Sequence, residues 1–327
     1  MKISSLMAIA ACFITLIAAT AIFAAPGSLD TTFYGTGFHR NGFGFGYDSA
    51  RKVLLQADGK IITVGTIGNG ERGTILIVRY LTNGSLDPTF GEGGFVTDGY
   101  ISPSDAVLQP DGKIVIISSV QPNTNTPTDF LVTRYNPNGT RDMSFGNQGI
   151  VTTDFAGQYD RAWGVAVQTD GKIVVAGWAG DGFAVARYNP DGSLDTSFGS
   201  GGKKTTIITG DQEGGYAVAI QPDGKIVVVG ATIFNGFCFA AVRYLPNGDL
   251  DTSFDGDGIA ITNTSNSVGE PSSVVIQPDG KILIGGDDIA IVLIRYNPNG
   301  SLDTTFGGTG MVRTTIRAQE TCNELKL

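Results

Sequence analysis

Three short motifs return in a fixed order along the chain, and such a return constrains the fold more than any other property of a sequence. Asp-Gly-Lys begins at Asp58, Asp111, Asp170, Asp223 and Asp279, and Arg-Tyr follows at Arg79, Arg134, Arg187, Arg243 and Arg295. Asp-x-x-Phe begins at Asp30, Asp87, Asp142, Asp195, Asp251 and Asp303. It places Phe33, Phe90, Phe145, Phe198, Phe254 and Phe306 at intervals of 57, 55, 53, 56 and 52 residues. Five complete units therefore lie between six copies of the last motif.

Each unit reads as four strands. In the fourth unit "AVAIQ" and "KIVVVGA" are short β-rich runs joined by Pro-Asp-Gly. Pro sets φ for a type I turn and Gly takes the left-handed position, so the two runs form an antiparallel hairpin. "FAAVRY" is a third strand, and after the Asp-x-x-Phe motif a Gly-rich step leads to a fourth short run, as in Gly93 to Thr97. The 47 glycines in 327 residues are about twice the usual share near 7%, while 41% apolar residues still supply a core. A four-stranded antiparallel unit cannot bury both faces alone. The sequence therefore predicts an all-β chain, a β-propeller of five four-stranded antiparallel blades forming a single domain over 26–316. A β-helix would need shorter rungs and parallel pairing, which these hairpins oppose. The run before each hairpin is expected innermost, because Ala217-Val218-Ala219 and Gly164-Val165-Ala166 carry the small residues a crowded axis admits. Met311 to Ile316 is expected to complete the fifth blade. Phe38 to Gly46 would then lie outside that blade as an extra strand, or across the seam, so that the chain ends close the ring.

The stretch "AIQPDGKIVVVGA…FAAVRYLPNGDLDTSFDGDGI" resembles the delta-60 repeat family of bacterial secreted proteins and, more distantly, NHL-type propellers. The resemblance runs from Gly27 to Thr315 and implies a propeller, but no enzyme and no particular ligand. Two places depart from the pattern: Arg141 stands where Leu is usual, and Leu81-Thr82-Asn83-Gly84 lacks the turn proline.

Lys2, the uncharged apolar run Ile3 to Ala25 and the small residues that end it predict a signal peptide over 1–25, cleaved near Ala21 or Ala25 so that the mature chain starts between Ile22 and Pro26. The run is also long enough for an uncleaved anchor, and Ile9-Ala10-Ala11-Cys12 resembles a lipobox placed too early in it. Residues 317–327 form a C-terminal tail. The expected location is secreted, periplasmic or in the cell envelope, with no membrane span after signal removal. The net charge of −9, one unit more negative without Lys2, disfavours nucleic acid as a partner. Beyond the signal only Cys238 and Cys322 remain, too few for a disulfide framework; Cys238 reads as a small core residue.

The Arg and Asp of every unit recur too regularly for catalysis, which needs one constellation in one place. They read as structural, with Asp accepting backbone N–H groups ahead of a Phe that plugs between blades. The turn oxygens of Asn189, Asp191, Ser193 and Asp195 resemble the start of a calcium loop, but Ser200 stands at the twelfth position where an acid is needed, so no cofactor is expected and Ca2+ is the only metal in view. Counted from the hairpin glutamines Gln56, Gln168, Gln221 and Gln277, acids fall eight residues earlier at Asp48, Asp160 and Glu213, and seven earlier at Glu270. The second unit offers only Asp105, four before Gln109. Either these acids converge as a ligand-binding collar at the channel mouth, or each caps its own strand through local hydrogen bonds. His39 is the only histidine and lies outside the units, and Gly42 to Gly46 precedes no helix, so a His-based site and a phosphate loop are both disfavoured. The function expected is an exported scaffold binding a protein or glycan ligand. The alternatives are a carbohydrate-active hydrolase or lyase using the collar carboxylates, and a purely architectural segment.

Overall fold

The structure is a computed structural model describing residues 28–43, 47–68, 73–99, 101–123, 126–210, 213–265 and 269–315. The expected signal segment 1–25, the tail 317–327 and both Cys12 and Cys322 lie outside these residues. Among the described residues twenty strands form five antiparallel sheets, each in simple up-and-down order. Blade 1 is β1 (Tyr47–Leu55), β2 (Ile61–Gly68), β3 (Thr74–Tyr80) and β4 (Phe95–Asp98). Blade 2 is β5 (Asp105–Leu108), β6 (Ile114–Val120), β7 (Asp129–Tyr135) and β8 (Ile150–Thr153). Blade 3 is β9 (Asp160–Val167), β10 (Ile173–Ala179), β11 (Gly182–Tyr188) and β12 (Lys203–Thr206). Blade 4 is β13 (Gly214–Ile220), β14 (Ile226–Ile233), β15 (Phe237–Tyr244) and β16 (Ile259–Ser265), and blade 5 is β17 (Glu270–Ile276), β18 (Ile282–Asp287), β19 (Ile291–Tyr296) and β20 (Met311–Thr314). Among the described residues no helix is long and apolar enough to cross a membrane.

Local turn chemistry sets the hairpins. Gly171 adopts φ +83°, its N–H donates to Gln168 O, and Gln168 N–H donates to Lys172 O; the other four Asp-Gly-Lys turns repeat both bonds. The middle strands β10 and β11 are buried almost throughout because each lies between two neighbouring blades. The core is accordingly four layers, one each between blades 1 and 2, 2 and 3, 3 and 4, and 4 and 5.

The repeated polar residues clamp the four junctions from blade 1 to blade 5. Asp195 accepts Ser197 N–H through Oδ1, while its Oδ2 meets both Arg187 Nε at 2.7 Å and Lys172 Nζ at 3.2 Å. The lysine of Asp-Gly-Lys is thus the third member of the group. Arg187 also stacks over Phe198 and donates to Pro246 O in the next blade. Arg79, Arg134 and Arg243 make the same bond to Pro137, Pro190 and Pro298. Phe90, Phe145, Phe198 and Phe254 are fully buried. Above them the next blade's turn crosses at Gly139, Gly192, Gly248 and Gly300, where a Cβ would press on the ring. At the outer strand Tyr188 and Tyr244 donate to Thr153 and Thr206 of the preceding blade. Between blades 1 and 2 the acceptor is Asp98, which also pairs with Arg141. The irregular Arg141 therefore has a counterpart in Asp98, which stands where the other blades carry Thr.

The fifth junction differs, and here the expected ring closure is corrected. Met311–Thr314 does complete blade 5, pairing with β19. The N-terminal segment, however, lies on blade 1. Tyr34 N–H donates to Asn83 O at 2.7 Å, the same bond that Gly91, Gly146, Gly199 and Asp255 make to the next blade's turn. Phe33 sits under Gly84 as Phe90 sits under Gly139, and His39 bonds Gly84 O and stacks on Tyr34. Residues 28–37 match 301–310 at every position but one, Tyr34 against Gly307. The N-terminal copy thus takes the blade 1 turn that the blade 5 copy would need. Arg295 keeps Asp303 and Thr305 but, among the described residues, donates to no other blade. Its side chain is 20% exposed, against 4–8% for its four counterparts, and Phe306 is only half-buried. Among the described residues no fifth core layer joins blade 5 to blade 1.

Candidate functional site

Repetition hides the site in one position of the innermost strands. β1, β9, β13 and β17 each carry a bulge, with Arg51, Trp163, Tyr216 and Ser272 as the extra residues. All four lie five residues before the hairpin glutamine; Ser104 is the corresponding residue of blade 2. The cause is in the adjacent strand. Gly65, Gly177, Gly230 and Gly286 face the bulges, and a Cβ there would lie 1.9, 1.9, 1.8 and 2.4 Å from a carbonyl oxygen of the bulged strand. Only glycine lets the backbones approach that closely. Blade 2 has Ser118 at this place, and its inner strand starts later, at Asp105.

A bulge re-aims its side chain, and two of the four, Arg51 and Trp163, face one cleft. Arg51, Ser104 and Trp163 line a cleft of about 770 Å³ together with Ser119, Thr128 and Arg161. Trp163 stacks on Tyr216 with ring centroids 5.8 Å apart, and the Tyr216 hydroxyl donates to Glu270 at 3.0 Å. Burial, and then the Glu270 carboxylate, push the Tyr216 phenol well above its ordinary range, so it stays a donor. Arg51 and Arg161 are exposed, and among the described residues neither has a carboxylate partner. The cleft therefore presents two uncompensated guanidinium groups beside an aromatic pair. The acids that the repeat register picks out, Asp48, Asp160, Glu213 and Glu270, do not stand at this position. The signal was available, because it is an inner-strand place at which the repeat offers Arg, Ser, Trp, Tyr and Ser in turn.

The four acids singled out from the sequence mostly serve their own loops. Asp48 accepts Phe43 N–H, Asp160 accepts Phe155 N–H, and Glu213 accepts Ile208 N–H, each five residues back. Glu213 also takes Thr209 N–H and the Thr232 hydroxyl. Glu270 is the exception, accepting Tyr216 of the adjoining blade. Asp105, the irregular acid of blade 2, pairs with Lys52 at 3.1 Å and accepts Val165 N–H from blade 3. Of the four, Asp160 alone joins a potential metal-ligating group, with Asp129 and Asp154 and without Asp48, Glu213 or Glu270. In the turn at Asn189, Asp191 accepts Ser193 N–H and Asn189 donates to Ser193, so these groups close their own turn. Cys238 is buried, as its place in an apolar strand suggested.

The domain of unknown function (DUF5122) beta-propeller matches residues 56–90, 109–145, 168–198, 221–254 and 277–306, about half of the chain. The chain belongs to the DUF5122 β-propeller family. No curated protein matches its sequence. Solved structures similar to it include a catalytically inactive virginiamycin B lyase from Staphylococcus aureus with quinupristin, at 12% identity and TM-score 0.45, covering 83% of this chain and 71% of that one. A protein of unknown function from Dyadobacter fermentans is similar at 14% identity and TM-score 0.46, covering 83% and 84%. An ulvan lyase of polysaccharide lyase family PL25 is similar at 11% identity and TM-score 0.47, covering 82% and 68%.

Proposed function

We propose that this DUF5122 propeller is an exported binding module that holds an anionic ligand, a protein or glycan segment bearing carboxylate or sulfate groups, over the bulge ring. The carrying observation is the cleft in which Arg51 and Arg161 stand beside Trp163 without carboxylate partners among the described residues, on a chain of net charge −9. Guanidinium groups recognise carboxylates through paired N–H donors, and the stacked indole offers a flat apolar face to a sugar ring or side chain. The apolar N-terminal run and the resemblance to secreted delta-60 repeats support export; N-terminal sequencing of the secreted or periplasmic form should start between Ile22 and Pro26, and a chain retaining Met1 refutes it.

The binding test is an array of acidic and neutral glycans and peptides probed with the purified protein. Hits should be anionic, and Arg51→Gln with Arg161→Gln should weaken them by roughly 10–100-fold, the worth of one or two charged hydrogen bonds. Neutral hits, or anionic hits untouched by these variants and by Trp163→Ala, would refute the reading. A shortened or unsaturated product from an acidic glycan would instead make the cleft that of a carbohydrate-active enzyme.

A further inference from the structure

Most polar clusters in the molecule occur once per blade, whereas one acid cluster is built at a single junction. Where blade 2 meets blade 3, Asp129 at the start of β7, Asp154 just after β8 and Asp160 at the start of β9 each bring a carboxylate oxygen within 4.8 Å of the other two. The first residues of the other third strands are Thr74, Gly182, Phe237 and Ile291, so the repeat does not supply this arrangement elsewhere. Backbone bonds fix the frame. Asp160 N–H donates to Thr128 O at 2.7 Å, the Thr128 hydroxyl donates to Asp160 O at 2.8 Å, and Gly157 N–H donates to Asp154 Oδ1 at 2.7 Å.

A second observation concerns Asp160 alone. It is fully buried, its Oδ2 accepts Phe155 N–H, and its Oδ1 has no hydrogen-bond partner among the described residues. A buried carboxylate oxygen without a donor is costly, and the charges nearest to it are two more carboxylates. Lys203 is close, but it donates to the backbone oxygen of Asp154 and lies 5.5 Å from the Phe155 ring centroid. Among the described ion pairs it has none with the three acids.

We propose that Asp129, Asp154 and Asp160 hold a calcium ion that ties the loop between β8 and β9 to the start of β7. Oxygens sharing a calcium ion at about 2.4 Å lie at most about 4.8 Å apart, and hard anionic oxygens are the ligands this ion prefers. Asp154 is exposed and Asp129 half-buried, so water can reach the ion and complete its shell. The site lies beside the cleft, since Thr128 and Arg161 line that cleft, but it stands whether or not the anion reading does.

The test is calorimetric titration of Ca2+ into chelator-stripped protein, with melting curves in the presence and absence of CaCl2. One binding event and a rise in melting temperature are expected. Asp160→Asn, which keeps an acceptor for Phe155 N–H, should abolish both. Asp154→Asn, an exposed change that leaves the fold intact, should weaken binding at least tenfold. Absence of heat with identical melting curves overturns the proposal, and so does wild-type affinity in Asp154→Asn, which decides the matter even where Asp160→Asn does not fold.

Discussion

Phe198→Ala and Phe306→Ala make the same substitution at the same place in the repeat, yet the thinner cover of Phe306 among the described residues requires them to differ. Phe198 is fully buried, Arg187 lies 4.7 Å from its ring centroid, and the turn of the next blade crosses at Gly248, where a Cβ would be 3.1 Å from the ring. Truncation leaves a cavity between two blades, which for a buried Phe costs about 3–5 kcal/mol. Phe306 keeps Arg295 at 4.6 Å but is half-buried, and among the described residues no following blade covers it. Its loss forfeits part of the transfer free energy and creates no enclosed cavity, about 1–2 kcal/mol. Urea unfolding followed by far-UV circular dichroism should read this difference; with a slope of about 2–3 kcal/mol/M, the midpoint falls by more than about 1 M for Phe198→Ala and by half that or less for Phe306→Ala. Trp163 and Trp178, both in blade 3, give fluorescence as a second probe, and coincident transitions justify the two-state comparison. Equal losses for the two variants would mean that Phe306 is covered as Phe198 is, and would refute this reasoning.

Three other outcomes follow from the geometry. Deleting 28–43 uncovers the Asn83–Gly84 turn, so hydrogen exchange should rise in blade 1 alone; deprotection of all five blades would show that the segment supports the whole array. Gly177→Ala places a Cβ 1.9 Å from Arg161 O and must displace the Trp163 bulge, costing about 1–3 kcal/mol and shifting Trp163 fluorescence, whereas unchanged stability and emission would refute the glycine argument. Burial alone would raise Asp251, but bonds from Ser253, Lys225 and Arg243 outweigh it and hold the carboxyl at about 2, below the ordinary 3.8. Asp87, Asp142 and Asp195 are lowered likewise by their Thr or Ser, Lys and Arg neighbours. A depressed folded-state pKa contributes stability that is present above the unfolded value and lost as pH falls through the folded one, so stability should hold down to about pH 4 and then drop toward pH 2. A urea midpoint unchanged between pH 5 and 2 would refute the clamp.

The sequence by itself determined the number of blades, the antiparallel hairpins and the four strands of each unit, because Pro-Asp-Gly and its neighbours specify turns within a few residues. The recurrence of Arg, Asp and Phe led to the expectation that they are structural partners. The tertiary structure decided what depends on distant segments. Lys172 joins Arg187 on Asp195 only once the hairpin and the third strand are laid side by side, and Asp98 answers Arg141 across a blade boundary. The acids at one repeat position were legible as a series, but most of them turn back onto loops five residues away, and the cleft is lined instead from the bulges at Arg51 and Trp163 that Gly65 and Gly177 permit. Two nearly identical elements, 28–37 and 301–310, have one blade 1 turn between them. Local preference is the same for both, so packing alone could place the N-terminal copy on that turn and leave Phe306 at an edge.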